Sequence, residues 1–93
     1  MDKNLRFSKT DNLLVQKIDG AYLVMNPISD ESVAVYISNV AIYIFNMCDG
    51  TKTVEQMCSF LTEKYNVEYD VCRNDVLDTL NTFVRELIIK EVE

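Results

Sequence analysis

The stretch that most constrains this chain is residues 37–65, ISNVAIYIFNMCDGTKTVEQMCSFLTEKY. Ser38 is placed to cap a helix, in which Val40, Ile44 and Met47 share one face with Ile42 and Phe45 alongside. Asp49-Gly50 then stops that helix, because glycine tolerates the backbone needed just past a helix end. Thr51 or Thr53 starts a second helix, in which Met57, Phe60, Leu61 and Tyr65 recur at helical spacing. A glycine stop followed within a few residues by a threonine start predicts helix, tight turn, helix.

The flanks of this motif read differently. Residues 13–18, LLVQKI, and 21–26, AYLVMN, are strand-like runs joined by Asp19-Gly20, a strong hairpin signal in which both turn positions favour positive φ. Asn26-Pro27 ends the second run, since proline cannot continue a ladder. A polar connection, 28–32, leads to SVAVYI at 32–37, where both alternating faces are fairly apolar. Three such runs predict a small antiparallel sheet that cannot close, so at least one edge stays free. Beyond the motif, NVEY at 66–69 interrupts the helical pattern, and Asp70 is placed to cap a third helix over about 71–88. Cys72, Val76, Leu80, Phe83 and Leu87 form its apolar stripe, flanked by Leu77, Val84 and Ile88. Arg73 falls inside that arc. It snorkels to solvent, pairs with a nearby carboxylate, or borders a groove.

The order is three strands, then three helices, predicted as one α+β domain over residues 1–93. Residues 1–12 form a polar arm, extended or loose, in which Leu5 and Phe7 are isolated apolar points.

Composition narrows the chemistry. The chain contains no histidine, so neither a Ser-His-Asp nor a Cys-His pair can form within it. It has no glycine-rich phosphate loop, and Asp75 and Asp78 have the ordinary spacing of a solvated helix face. Cys48, Cys58 and Cys72 lack a CxxC spacing and fit buried, reduced thiols better than a metal or Fe–S site. No enzyme activity, cofactor or metal is expected. The first twelve residues lack the apolar run of a signal peptide, and no segment has the roughly twenty apolar residues of a membrane span. A cytoplasmic location without membrane contact follows as the expectation.

Binding remains. The formal charge of −6 repels phosphate backbones. The helix after the turn carries Glu55 and Glu63 against Lys64, and the third helix Asp70, Asp75, Asp78 and Glu86 against Arg73 and Arg85, so neither resembles a face that reads bases. A winged-helix transcription regulator is therefore the weaker alternative, and no nucleic-acid partner is expected. A free edge at SVAVYI, by contrast, is a template for an extended peptide, with lysine or arginine favoured by the acidic chain. A homodimer through that edge is the competing use.

The hairpin, the third strand ending at Ser38-Asn39, the DGTKTVE turn, YNV after the second helix, and Asp75-Val76 with Leu80 and Leu87 together resemble the PqqD-like family, also known as RiPP recognition elements. The resemblance spans about residues 13–89. It implies a winged helix-turn-helix-like fold that binds the leader segment of a ribosomal precursor peptide and presents the core segment to a modifying enzyme. The leader adds as a strand beside the third strand, in the groove shared with the third helix. Carried over by position, the groove is lined by Val33, Ala34, Val35 and Tyr36 of the strand and by Arg73, Val76, Leu77 and Leu80 of the helix. Arg73 matches a position that is often basic in the lasso-peptide branch. The implied enzyme partner is a lasso-peptide leader peptidase or cyclase, or a radical-SAM protein. The chain is expected to be free-standing, with a module of a larger enzyme as the alternative. The 27–32 connection lacks the glycine frequent in the family.

Overall fold

The computed structural model describes residues 5–27 and 34–92. The connection 28–32, Ser32 and Val33 lie outside the described residues. The chain runs β1 (Arg6–Lys9), β2 (Leu14–Ile18), β3 (Ala21–Met25), β4 (Ala34–Ser38), α1 (Ala41–Asn46), β5 (Asp49–Thr53), α2 (Val54–Tyr65), α3 (Tyr69–Arg85) and β6 (Ile89–Val92). The fold is mixed α and β. It contains the expected three-stranded antiparallel sheet, ordered β2-β3-β4, and the three helices.

The β2–β3 hairpin pairs Ile18 with Ala21, so Asp19-Gly20 is a two-residue turn. Only Gly20 takes positive φ, at 76°, and Asp19 does not, which differs from the two-position expectation. One φ-positive glycine is enough to reverse the chain in a type II-like turn. In the next pair, Val24 faces Val35 and Tyr22 faces Ile37. Val24, Val35 and Ile37 bury one face of the sheet against the helices.

A second antiparallel sheet, ordered β5-β1-β6, was not anticipated. The N-terminal arm supplies its central strand, with Phe7 buried, so the described part of that arm is neither isolated nor loose. The DGTKT run is strand β5 rather than a bare turn. Two steps along β1 match four along β5, and Gly50, at φ 86°, lies in this irregularity. The Asp49 carboxylate accepts the Thr51 hydroxyl at 2.6 Å and the Thr51 N–H at 2.9 Å, bonds that hold its carboxyl below the usual range.

Local signals set the helix starts. The Ser38 hydroxyl accepts the Ala41 N–H at 3.0 Å. Thr53 forms a reciprocal cap with Gln56: its hydroxyl accepts the Gln56 N–H, and the Gln56 side chain accepts the Thr53 N–H at 2.8 Å. Helix α3 begins two residues earlier than Asp70 suggests. Glu68 is its cap residue, and Asp70 sits in the first turn, where a carboxylate favours the positive end of the helix. It also ends at Arg85, short of the expected 88. Leu87 turns left-handed (φ 62°), its N–H bonds the Val84 carbonyl and the Ile88 N–H bonds the Phe83 carbonyl. Ile88 and Ile89 are buried, and Ile89 opens β6.

Both sheets and all three helices share one apolar core. Phe45 and Phe83 meet edge to face at 5.9 Å, worth about 0.5–1.5 kcal/mol beyond their burial. Cys48, Cys58 and Cys72 are buried free thiols. Burial pushes Cys48 up to about 12 and Cys58 up to about 11, so both stay protonated at neutral pH. No helix among the described residues is long and apolar enough to cross a membrane.

Candidate functional site

Strand β4 pairs with β3 alone, so its far edge is open among the described residues. Along it, side chains alternate. Val35 and Ile37 point into the core, while Ala34, Tyr36 and Ser38 are exposed, Tyr36 by 66%. The opposite edge strand, β2, is also open but is exposed along most of its length and borders none of the apolar cleft described next.

At the Ser38 end of β4 a cleft of about 280 Å³ opens between that strand, α1, the end of α2 and the start of α3. Its floor is the buried set Ile44, Leu61, Cys72 and Val76. Its rim is apolar yet exposed: Val40, Tyr65, Val67 and Val71. Three polar groups line it, Ser38, Thr79 and the exposed carboxylate of Asp75. The αL residue Asn66 (φ 53°) turns the chain after α2, so that Val67 reaches the rim and α3 can pack back against α2. An apolar floor with a few polar groups at its edge suits a side chain of an extended ligand.

The residues that the sequence singles out fall in three places. Ala34, Val35 and Tyr36 lie together on β4. Val76 sits in the cleft floor, whereas Leu80 is fully enclosed by the core. Arg73 and Leu77 are half-buried and stand outside the cleft lining. At 100° per residue they occupy the flank of α3 opposite Asp75. Arg73 lies near enough to Cys58 and Tyr69 for its charge to favour their ionised forms, and it forms no ion pair among the described residues. Val71, Asp75 and Thr79 were not anticipated as site residues. Helical spacing places them one step around α3 from the Cys72–Val76 stripe, but nothing in that spacing says which flank meets β4.

Among the described residues no group of His, Cys, Asp or Glu is arranged to hold a metal ion.

The family model described as coenzyme PQQ synthesis protein D (PqqD) matches residues 13–89. The chain belongs to the PqqD family. The matched span runs from the residue before β2 to the first residue of β6, and so covers the β4 edge and the cleft. Among solved structures, this PqqD-family chain is similar to TbiB1, determined in complex with the TbiA(beta) leader peptide. The TM-score is 0.72 and the identity 17%, covering 87% of this chain and 93% of that one, a likeness of fold. No curated protein matches the sequence.

Proposed function

We propose that this protein acts as a single, non-catalytic recognition domain for the leader segment of a ribosomally made precursor peptide. The observation that carries the reading is the open β4 edge ending in an apolar cleft against α3. The leader adds as a strand beside β4, where backbone pairing supplies affinity. One of its apolar side chains enters the cleft over Ile44, Leu61 and Val76. A lysine or arginine close to that anchor meets Asp75, in keeping with the net charge of −6. Family membership and the fold shared with TbiB1, itself determined in complex with a leader peptide, support this reading. In the cytoplasm the bound peptide would be presented to a modifying enzyme, a leader peptidase or cyclase of lasso-peptide type or a radical-SAM protein.

The test is a titration of the ¹⁵N-labelled protein with the leader of a precursor peptide encoded beside it. A preformed groove with few anchors predicts nanomolar to micromolar affinity. Shifts are expected on residues 33–38 and on Val71, Asp75, Val76 and Thr79. Shifts concentrated instead on Arg73 and Leu77 would move the ligand to the other flank of α3. No shift on β4 would overturn strand addition. Sedimentation with and without the peptide separates this use of the edge from self-pairing.

A further inference from the structure

A second cleft, of about 440 Å³, abuts the first. Val40 and Tyr65 line both, so these two side chains form a ridge between them. Beyond the ridge the character changes. Tyr22 of β3, Tyr43 of α1 and Tyr65 of α2 converge there, with Asn39 and Asn46 as the hydrogen-bonding groups. Tyr43 is the hinge of the cluster, packed against Tyr65 at 6.3 Å and against the exposed Phe60 at 6.0 Å.

No carboxylate lines this second cleft, and three lysines lie against side chains that line it. The Lys17 ammonium lies 5.9 Å from the Tyr22 ring centre. That of Lys64 lies 4.8 Å from the Tyr43 ring and 5.7 Å from the Tyr65 ring. Lys9 donates to the Asn46 side-chain oxygen at 3.4 Å and lies over Phe45 at 4.9 Å. Among the described residues none of the three is in an ion pair; the one pair is Lys52 with Asp49. Contact with ring faces holds these ammonium groups in place without neutralising them. In a chain of net charge −6 this is a local field of the opposite sign.

We infer that the tyrosine-lined cleft is a docking surface for an acidic segment of a second protein, one that carries an apolar or aromatic anchor between its carboxylates. The anchor packs on Tyr22, Tyr43 and Tyr65, and the carboxylates meet Lys9, Lys17 and Lys64. The two asparagine side chains are placed to bond the segment's backbone. Charge separates the occupants of the two clefts. A ligand selected by Asp75 carries cations, which the lysines repel, so two different chains can sit on either side of the Val40–Tyr65 ridge at once. Single-stranded RNA shares the taste for aromatic and basic surfaces. The acidic chain as a whole repels a long phosphate backbone, which favours the shorter, less charged peptide.

The probe is a fluorescein-labelled peptide with a central Phe-Leu flanked by glutamates, compared at low salt with its glutamine counterpart and with decauridylate. The glutamate peptide should bind saturably, about tenfold more tightly than the glutamine peptide, and should weaken with added salt. Amide shifts should centre on Tyr22, Asn39, Tyr43, Asn46 and Lys64. The exposed double change Lys17→Glu/Lys64→Glu should reduce affinity by about tenfold or more, with Lys17→Gln/Lys64→Gln between it and the parent. Unchanged circular dichroism melting shows that both variants fold. Leader binding at the β4 cleft should be retained in both variants, and no weaker than in the parent, because the lysines only repel a cationic leader. Absent binding, equal binding of the glutamine peptide, tighter binding of decauridylate, or shifts on Val71, Asp75 and Thr79 would each overturn the assignment. Because the leader titration reads a different set of amides, failure of leader recognition and failure of this surface are distinguishable.

Discussion

Leu87 occupies a backbone conformation that an L side chain enters only at a cost, and it does so at the point where α3 is tied to the strands. Its left-handed φ of 62° allows the chain to close the end of α3 and turn directly into β6. The same conformation aims its carbonyl at two donors, the Thr10 hydroxyl at 2.9 Å and the Asn26 side-chain amide at 3.1 Å. These bonds fix the far end of α3 to the segment before β2 and to the end of β3, and so help to set how α3 stands against the sheet. A residue with a Cβ gives up about 1 kcal/mol in this region relative to glycine. The Leu87 side chain is 56% exposed, so a little under half of its transfer free energy, about 1 kcal/mol, is realised. Leu87→Gly therefore loses about as much packing as it gains in backbone relief, and its stability should stay near that of the parent. Leu87→Ala loses the packing and keeps the strain, so it should be destabilised by about 1 kcal/mol, a fall in Tm of about 5 °C for a chain of this size. The informative quantity is the difference between the two variants. Glycine should exceed alanine by about 1 kcal/mol, the reverse of their order inside a helix. Urea unfolding of the three proteins with a shared m-value measures it. An alanine variant as stable as the glycine variant would refute the account of this turn.

Other consequences are equally measurable. Asp75→Lys should weaken leader binding by about tenfold, since it removes one attraction and adds one repulsion at an exposed site, while Arg73→Ala should weaken it less; calorimetric titration of both variants compares the two flanks of α3. Thr53→Ala removes the hydroxyl of the reciprocal cap and should cost about 1 kcal/mol in chemical denaturation, with the far-UV spectrum retained. The thiols of Cys48 and Cys58 are held protonated by burial, to about 12 and about 11, whereas the unfolded chain ionises them near the ordinary thiol value of 9.0. Their contribution to stability is complete below about pH 9 and is lost as pH rises toward 12, so urea midpoints should fall over that window, and less steeply in Cys48→Ala relative to its own neutral value. At neutral pH the three buried thiols should react with iodoacetamide only slowly until the chain unfolds.

How far the sequence reaches depends on how local each signal is. The Asp19-Gly20 hairpin, the Asn26-Pro27 stop and the Thr53 cap are decided within a few residues, and each is where those residues place it. The β5-β1-β6 sheet is the opposite case. Its strands have four or five residues, and Arg6 pairs with both Thr53 and Val92, partners that no local pattern connects. Within DGTKT, threonine and glycine are read as punctuation, yet Gly50 is what lets β5 carry extra residues and still pair. The end of α3 is hidden for a related reason. Leu87 and Ile88 continue the apolar stripe, and a left-handed leucine, unlike a glycine, leaves no mark in the sequence.

The site follows the same division. Alternation along 32–37 and the count of strands are enough to expect an exposed edge, because a three-stranded sheet must have two. The helix side is harder. Periodicity defines the arc of α3 that is apolar but is symmetric about its centre, so Arg73 with Leu77 on one flank and Asp75 with Thr79 on the other are equivalent until α2 is packed. Helix α2 breaks that symmetry. Cys58 lies against Cys72, with the Cys72 thiol 4.0 Å from the Cys58 carbonyl, and the charge of Arg73 reaches Cys58 from its own flank. The remaining flank opens toward Ser38 and the end of β4. An arginine in an apolar stripe draws attention because its burial is costly, whereas an aspartate beside that stripe reads as ordinary solvated surface. The cleft reverses their standing: its charged residue is the aspartate, and that sign is what makes a basic peptide on one side of the Val40–Tyr65 ridge compatible with an acidic partner on the other.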